Sequence, residues 1–200
     1  YVRTNSVDSP FILSDLLFVA RQPLAGIVLP KVGRPEDVEK VAWFLDRCGE
    51  NARTDLAIIA IVETPQGVAE VKAIAAAQRL DGIMFGALDY VLDLQGTRED
   101  ELTLAYPRLA IAVACRAKGI EPIDSVYPDH RDPDGLEREC RRARSMGYSG
   151  KACIHPAQAD RVNQVFSPSA AEIEWAERVV AVYEQAVAAG SGAVSLDGSM

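Results

Sequence analysis

Residues 59–68 read IAIVETPQGV, and the apolar run LAIIAIV at 56–62 leads straight into Glu63. A continuous β-branched run of this length, with no polar alternation, is the pattern of a strand buried on both faces of a parallel sheet. Its last residue is a carboxylate. The next two, Thr64 and Pro65, are the N-cap and first-turn pair that begins a helix. A buried strand that delivers an acid to its carboxyl end, just ahead of a helix start, places that acid at the rim of the sheet.

The same unit recurs along the chain. Short β-branched runs occur at VRTN (2–5), GIVLPK (26–31), LAIIAIVE (56–63), GIMFGALD (82–89), PIDSV (122–126) and KACIHP (151–156), each followed by a helical pattern. Proline marks several helix starts, at Pro35, Pro65, Pro133 and Pro156, with Thr64 and Asp132 suited to N-capping. In AWFLDRC and VAEVKAIAAA the apolar residues recur three and four apart, giving each helix one face for a sheet. Alternating strands and helices predict a parallel sheet, either doubly wound or closed as a (β/α)8 TIM barrel. Strand centres lie roughly 25 to 39 residues apart, near the roughly 30 expected when about 250 residues make eight units. A barrel therefore lacks two units here, and a chain that opens at Tyr1 already in strand-like sequence reads as a trimmed version of a longer protein. The barrel body is expected over 1–166, with a C-terminal helix and flexible arm over 167–200.

Composition narrows the function classes. The chain has 200 residues, 48% hydrophobic and 25% charged, enough for one domain with a substantial core. A net charge of −8 and a pI near 4.8 argue against a nucleic-acid binder. Runs such as LAIIAIV fall far below the roughly 20 residues of a membrane span, so no membrane partner is expected. Cys48, Cys115, Cys140 and Cys153 are scattered with no CxxC, which suits a reducing cytoplasm.

Polar residues gather at the strand ends, and this favours the barrel over the open sheet. Arg3 and Asn5 follow the first strand, Lys31 ends the second, Glu63 the third and Asp89 the fourth; Asp124 lies in the fifth, and Lys151 and His155 bracket the sixth. In a parallel barrel all these ends open onto one face, where the active sites of that architecture lie. Glu63 and Asp89 close consecutive strands, about 4.8 Å apart, so both carboxylates can reach one ion. Two protein oxygens completed by water and substrate suit Mg²⁺, and the ion would relieve the repulsion between the acids. The alternative, in which each acid caps a helix or pairs with a basic residue, stays open on spacing alone. The helix that starts at Thr64-Pro65 turns its positive end toward the same mouth, favouring an anionic substrate.

The stretches VRTN, LPKV, IVETPQGV, FGALDYVLDL and GYSGKACIHPAQADRVNQVFSPS resemble the citrate lyase β-subunit-like proteins, which include malyl-CoA and citramalyl-CoA lyases, within the HpcH/HpaI aldolase group. The resemblance runs along essentially the whole chain. It implies a Mg²⁺-dependent carbon–carbon lyase on a (β/α)8 barrel, acting by retro-Claisen cleavage or Claisen condensation on a CoA thioester and a 2-oxo acid. By match to the family pattern, Glu63 and Asp89 are the metal ligands and Arg3 the active-site arginine. The resemblance also places Asp124, Lys151 and His155 beside the thioester arm and CoA channel, and implies a homo-oligomer, a trimer or hexamer. A thioesterase on the same scaffold, or an accessory subunit acting on an acyl-carrier-protein thioester, is the alternative.

Other residues carry weaker signals. Asp124 could equally cap the loop through DHRDPD, and His155 is read first as a satisfied hydrogen-bonding residue. Cys153 and His155 have no partner ligands at zinc spacing. Arg138, Arg141, Arg142 and Arg144 read as a solvated helix face pairing with Glu137 and Glu139, ahead of a phosphate site. Ser169 and Glu172 form a capping box for a C-terminal helix that carries Ile173, Ala176, Val180 and Tyr183 along one side. The family's D-L-E-D motif has no counterpart in these residues. Asp197 does not occupy the place of the aspartate that the family's lyases use as general acid or base.

Overall fold

The computed structural model describes residues 1–48, 55–97, 101–188 and 190. The tail read as a flexible arm, with Asp197, lies outside the described residues apart from Gly190. The chain forms two compact units, Tyr1–Phe166 and Ser167–Met200.

Six strands carry the first unit: β1 (Val2–Arg3), β2 (Gly26–Leu29), β3 (Ala57–Val62), β4 (Leu80–Phe85), β5 (Glu121–Asp124) and β6 (Gly150–Lys151). All neighbouring pairs are parallel, and the strand order is β1-β2-β3-β4-β5-β6. A doubly wound sheet reverses its order at a switch point; this sheet never does, which removes the doubly wound alternative. Among the described residues β1 pairs only with β2 and β6 only with β5, so these strands make a half-barrel and not the closed eight-stranded barrel.

The connecting helices are α1 (Ile12–Val19), α2 (Pro35–Leu45), α3 (Pro65–Ala69), α4 (Val71–Ile74), α5 (Ala87–Leu94), α6 (Glu101–Lys118), α7 (Pro133–Ser145) and α8 (Ala159–Phe166), with a 3₁₀ turn at Pro156–Gln158 before α8. Thr64 Oγ1 accepts from Gly67 N at 3.0 Å and Asp132 Oδ1 from Gly135 N at 2.9 Å, so both anticipated caps form. VAEVKAIAAA is not one helix: Glu70, with φ −92° and ψ 4°, separates the five-residue α3 from α4. The sustained dipole anticipated behind Thr64 is therefore confined to little more than one turn. The sheet's aliphatic residues, among them Ile27, Leu29, Ile58 and Ile83, are fully buried. Each fully buried aliphatic side chain contributes about 1.5–3 kcal/mol, so the sheet supplies much of the driving force for folding.

A second, polar core lies behind the ends of β5 and β6. Asp124 accepts from Arg108 Nε of α6 at 2.9 Å and from Lys151 Nζ at 2.7 Å. Lys151 Nζ also donates to Glu139 Oε2 of α7 at 2.7 Å, and Arg108 lies 3.5 Å from the same glutamate. The side chains of Asp124 and Lys151 are 0% exposed. Two cations and two anions balance, so no net charge is buried, and Tyr148 closes the group by donating to the Arg108 carbonyl at 3.0 Å.

The second unit holds α9 (Ala170–Ala188), whose capping box closes in both directions. Glu172 N donates to Ser169 Oγ at 3.2 Å and Ser169 N to Glu172 Oε2 at 2.8 Å.

Removing Lys151 leaves Asp124, fully buried, without one of its two cations. Lys151→Met is predicted to destabilise the fold by about 3–5 kcal/mol, read as a lowered urea midpoint; an unchanged midpoint would remove the network from the account.

Candidate functional site

The register of β3 and β4 assembles the rim. Val62 pairs with Phe85, and Gly86 N donates to Val62 O at 2.9 Å, which sets Glu63 beside Gly86. A Cβ at Gly86 would stand 2.4 Å from Glu63 Cβ and 2.7 Å from its Oε2, so the glutamate side chain lies directly against the glycine. The other oxygen, Oε1, accepts from Lys31 N at 2.9 Å. Lys31 aims that N–H from the left-handed region, φ 55°, a conformation costing a non-glycine residue about 1–2 kcal/mol. Glu63 is 7% exposed. It is a seated carboxylate.

Burial pushes the Glu63 carboxyl above the ordinary glutamate value; the Lys31 N–H pulls it back, and Asp89 raises it again, with smaller lowering by the Lys31 and Arg3 charges. Arg3, Lys31, Glu63 and Asp89 thus share one electrostatic neighbourhood. Asp89 does not end a strand as the sequence suggested. β4 stops at Phe85, Gly86 turns the chain, and Asp89 is the third residue of α5, exposed in its first turn. The second acid therefore reaches the rim on a helix start, while Tyr90 packs edge-on against Phe85 with centroids 5.6 Å apart.

The other anticipated site residues are placed apart from these. Asp124 and Lys151 are taken up by Arg108 and Glu139 in the polar core and present no free surface to a ligand. His155 Nδ1 accepts from Ala157 N at 3.1 Å, capping the 3₁₀ turn, and its ring stacks on that of His130 at 4.8 Å between centroids. Asn5 donates twice to Asp15 at the start of α1 and so shapes the loop after β1. Glu137 pairs with Arg141 and Arg161, as a solvated helix face should, whereas Glu139 is drawn into the polar core. Arg108 escaped the sequence reading; a guanidinium amid the apolar residues of YPRLAIAVAC was its only signal.

The chemistry open to this rim follows from its donors. Among the described residues no cluster of three or more His, Cys, Asp or Glu could hold a metal, which fits poorly with a zinc-type site. One seated carboxylate, Glu63, and one exposed carboxylate, Asp89, offer hard oxygens that fit Mg²⁺, which keeps several waters and takes one or two carboxylates. Thiol chemistry is remote: burial pushes Cys115 up to about 12 and Cys140 to about 11. An apolar groove of about 710 Å³ lies between α1 and α2, but none of these site residues lines it.

The scaffold and rim define a parallel α/β protein with an acidic pair at the carboxyl ends of its strands. Residues 1–156 match the model of the HpcH/HpaI aldolase/citrate lyase family, and the chain belongs to that family. It is 38% identical over 200 residues to the (3S)-malyl-CoA thioesterase of Cereibacter sphaeroides, covering 100% of this chain and 67% of that protein. It is 35% identical over 216 residues to the mitochondrial citramalyl-CoA lyase of Homo sapiens, covering 100% of this chain and 63% of the relative. Among solved structures, the citrate lyase beta subunit of M. tuberculosis complexed with oxaloacetate and magnesium superposes with a TM-score of 0.73 at 30% identity, over 84% of this chain and 73% of that one. The chain thus spans about two thirds of the length of these curated relatives.

In the metal-free protein the raised Glu63 value has a definite sign. Between the ordinary glutamate value and the higher folded one, the folded state holds more protons than the unfolded chain, so stability falls as pH rises through that window. Urea titrations with chelator present are predicted to show this fall in the wild type and its loss in Glu63→Gln; matching pH profiles would contradict it.

Proposed function

We propose that this chain is a magnesium-dependent carbon–carbon lyase that cleaves or forms a β-hydroxyacyl-CoA, such as malyl-CoA or citramalyl-CoA, with acetyl-CoA and a 2-oxo acid on the other side. Its six strands are six of the eight of a (β/α)8 barrel. The observation that carries the reading is the seated Glu63 carboxylate, held by the Lys31 N–H and electrostatically coupled to Asp89. The M. tuberculosis relative complexed with oxaloacetate and magnesium supports the choice of ion and of a 2-oxo acid. The names of the curated relatives support a CoA thioester.

In this reading Glu63 and Asp89 hold Mg²⁺. The bound ion would supply Lewis acidity to the oxygen that is hydroxyl in the thioester and carbonyl in the oxo acid. In the cleavage direction the hydroxyl gives its proton to solvent water as its oxygen becomes the carbonyl, the bond between the hydroxyl-bearing carbon and the acyl α-carbon breaks, its electron pair becomes the enolate of the acetyl thioester, and a proton from water then completes the acetyl methyl group. Arg3, exposed at the end of β1, would stabilise the charge on that enolate oxygen with its guanidinium. Asp124 and Lys151 act from behind, by fixing the ends of β5 and β6, and His155 shapes the loop after β6. The same reading includes a homo-oligomer, trimer or hexamer, in a reducing cytoplasm, a setting that suits the free cysteines.

A second reading has its own support: the malyl-CoA relative named above is a thioesterase, which would release free CoA without breaking the carbon bond. Product analysis separates them. With Mg²⁺ and malyl-CoA or citramalyl-CoA, the account predicts acetyl-CoA and a 2-oxo acid in equal amounts. Glu63→Gln should lower the rate by roughly a hundredfold or more, since the ion's contribution is several kcal/mol. Free CoA with an intact hydroxy acid would establish the thioesterase, and turnover of neither CoA ester would turn attention to carrier-protein thioesters.

A further inference from the structure

We infer that Ser125 is the positioning residue for Asp89, supplying from just past the end of β5 a helix cap that the seat of Glu63 denies to α5. The inference rests on the reading of Glu63 and Asp89 as the metal carboxylates.

A helix begins with N–H groups that have no partner within it, and a serine, threonine, aspartate or asparagine at the N-cap is the usual remedy. Thr64 does this for α3, Asp132 for α7 and Ser169 for α9. At α5 the N-cap position is Gly86, with no side chain to offer. Nor is there room for one, because Glu63 Cβ and Oε2 stand 2.4 Å and 2.7 Å from where a Cβ would be. The side chain that ends β3 fills the space a capping side chain would need.

The first N–H of the helix is satisfied from elsewhere. Ala87 N donates to Ser125 Oγ at 3.0 Å, across a separation of 38 residues. Ala87 is 1% and Ser125 2% exposed, so water cannot substitute for the hydroxyl. Asp89 follows two residues later within the same first turn, and the direction of its carboxylate depends on how that turn is anchored.

Ser125 is itself held. It follows Asp124, whose carboxylate is fixed by Arg108 and Lys151, and whose backbone oxygen accepts from Ala152 N at 2.9 Å. A continuous path therefore runs from the buried ion pairs through Ser125 and Ala87 to Asp89. It gives the polar core a link to the rim although none of its side chains faces the rim.

The test uses the full chain and Mn²⁺ as the probe, read from the free-ion signal in electron paramagnetic resonance at a temperature well below the melting transition. Wild type is expected to bind one Mn²⁺, and Asp89→Asn to lose it. Ser125→Ala is expected to weaken binding about tenfold, the usual effect of removing a group that orients a metal ligand, and Ser125→Thr, which keeps the hydroxyl, to restore it. If Ser125→Ala does not fold, Ser125→Cys keeps the volume and weakens the acceptor, and the same loss of affinity is expected. Wild-type binding that Asp89→Asn leaves intact, or no binding at all, would overturn the reading of the acidic pair and the inference with it. Binding that Asp89→Asn abolishes and the folded Ser125 variants retain at wild-type strength would overturn the role of Ser125 alone, even if those variants melt earlier.

Discussion

Keeping an ionised carboxylate at the half-dry end of a buried strand, beside a second carboxylate, is the constraint on which the rim is built. Desolvation and the Asp89 charge both oppose ionisation of Glu63, and the Lys31 N–H opposes them. A hydrogen bond to a charged group contributes about 1.5–3 kcal/mol, whereas the left-handed backbone that aims it costs about 1–2 kcal/mol. The two nearly cancel. The seat adds little to the stability of the fold and is explained by what it prepares, a fixed anion with one oxygen bonded and the other lying against Gly86. In the proposed site a divalent cation shared with Asp89 would turn the repulsion between the acids into attraction.

The polar residues at the carboxyl ends of the strands divide into two groups by what holds them. Arg3, Lys31, Glu63 and Asp89 share a field at β1 through the start of α5. Asp124 and Lys151 pair with each other and with α6 and α7, in a neutral quartet whose main solvent contact is through Glu139, 22% exposed. In the proposed reading the first group acts on a ligand and the second fixes the frame. A buried quartet of this kind is weak evidence for net stability, because its desolvation cost is of the same order as its attraction. Its value lies in setting β5 and β6 against the helices and, through Ser125, the start of α5.

Much of this was legible in the sequence because it is local. The β-branched runs mark all six strands, and Thr64, Asp132, Ser169 and Glu172 cap the helices as their spacing suggests. Non-local features were not legible. FGALD continues an apolar run, which makes Asp89 look like a strand end; the strand ends earlier because Gly86 turns the chain against Glu63, a contact remote in sequence. Asp124 and Lys151 look like site residues from their positions at strand ends. Their burial depends on Arg108 and Glu139, which lie in helices remote in sequence from one strand or the other. Lys31 stands at a strand end in the sequence, but the group that touches Glu63 is its backbone N–H, aimed from a left-handed conformation that no residue type announces.

The central claim is that Glu63 and Asp89 hold one divalent cation between them. Paramagnetic broadening of backbone amide resonances by substoichiometric Mn²⁺ tests it most directly. The account predicts that the amides of Lys31, Glu63, Gly86 and Asp89 fade first and together, and that excess Mg²⁺ restores them. Broadening centred on another acidic group, such as the Asp134 and Glu137 face of α7, with these four amides unaffected, would contradict it.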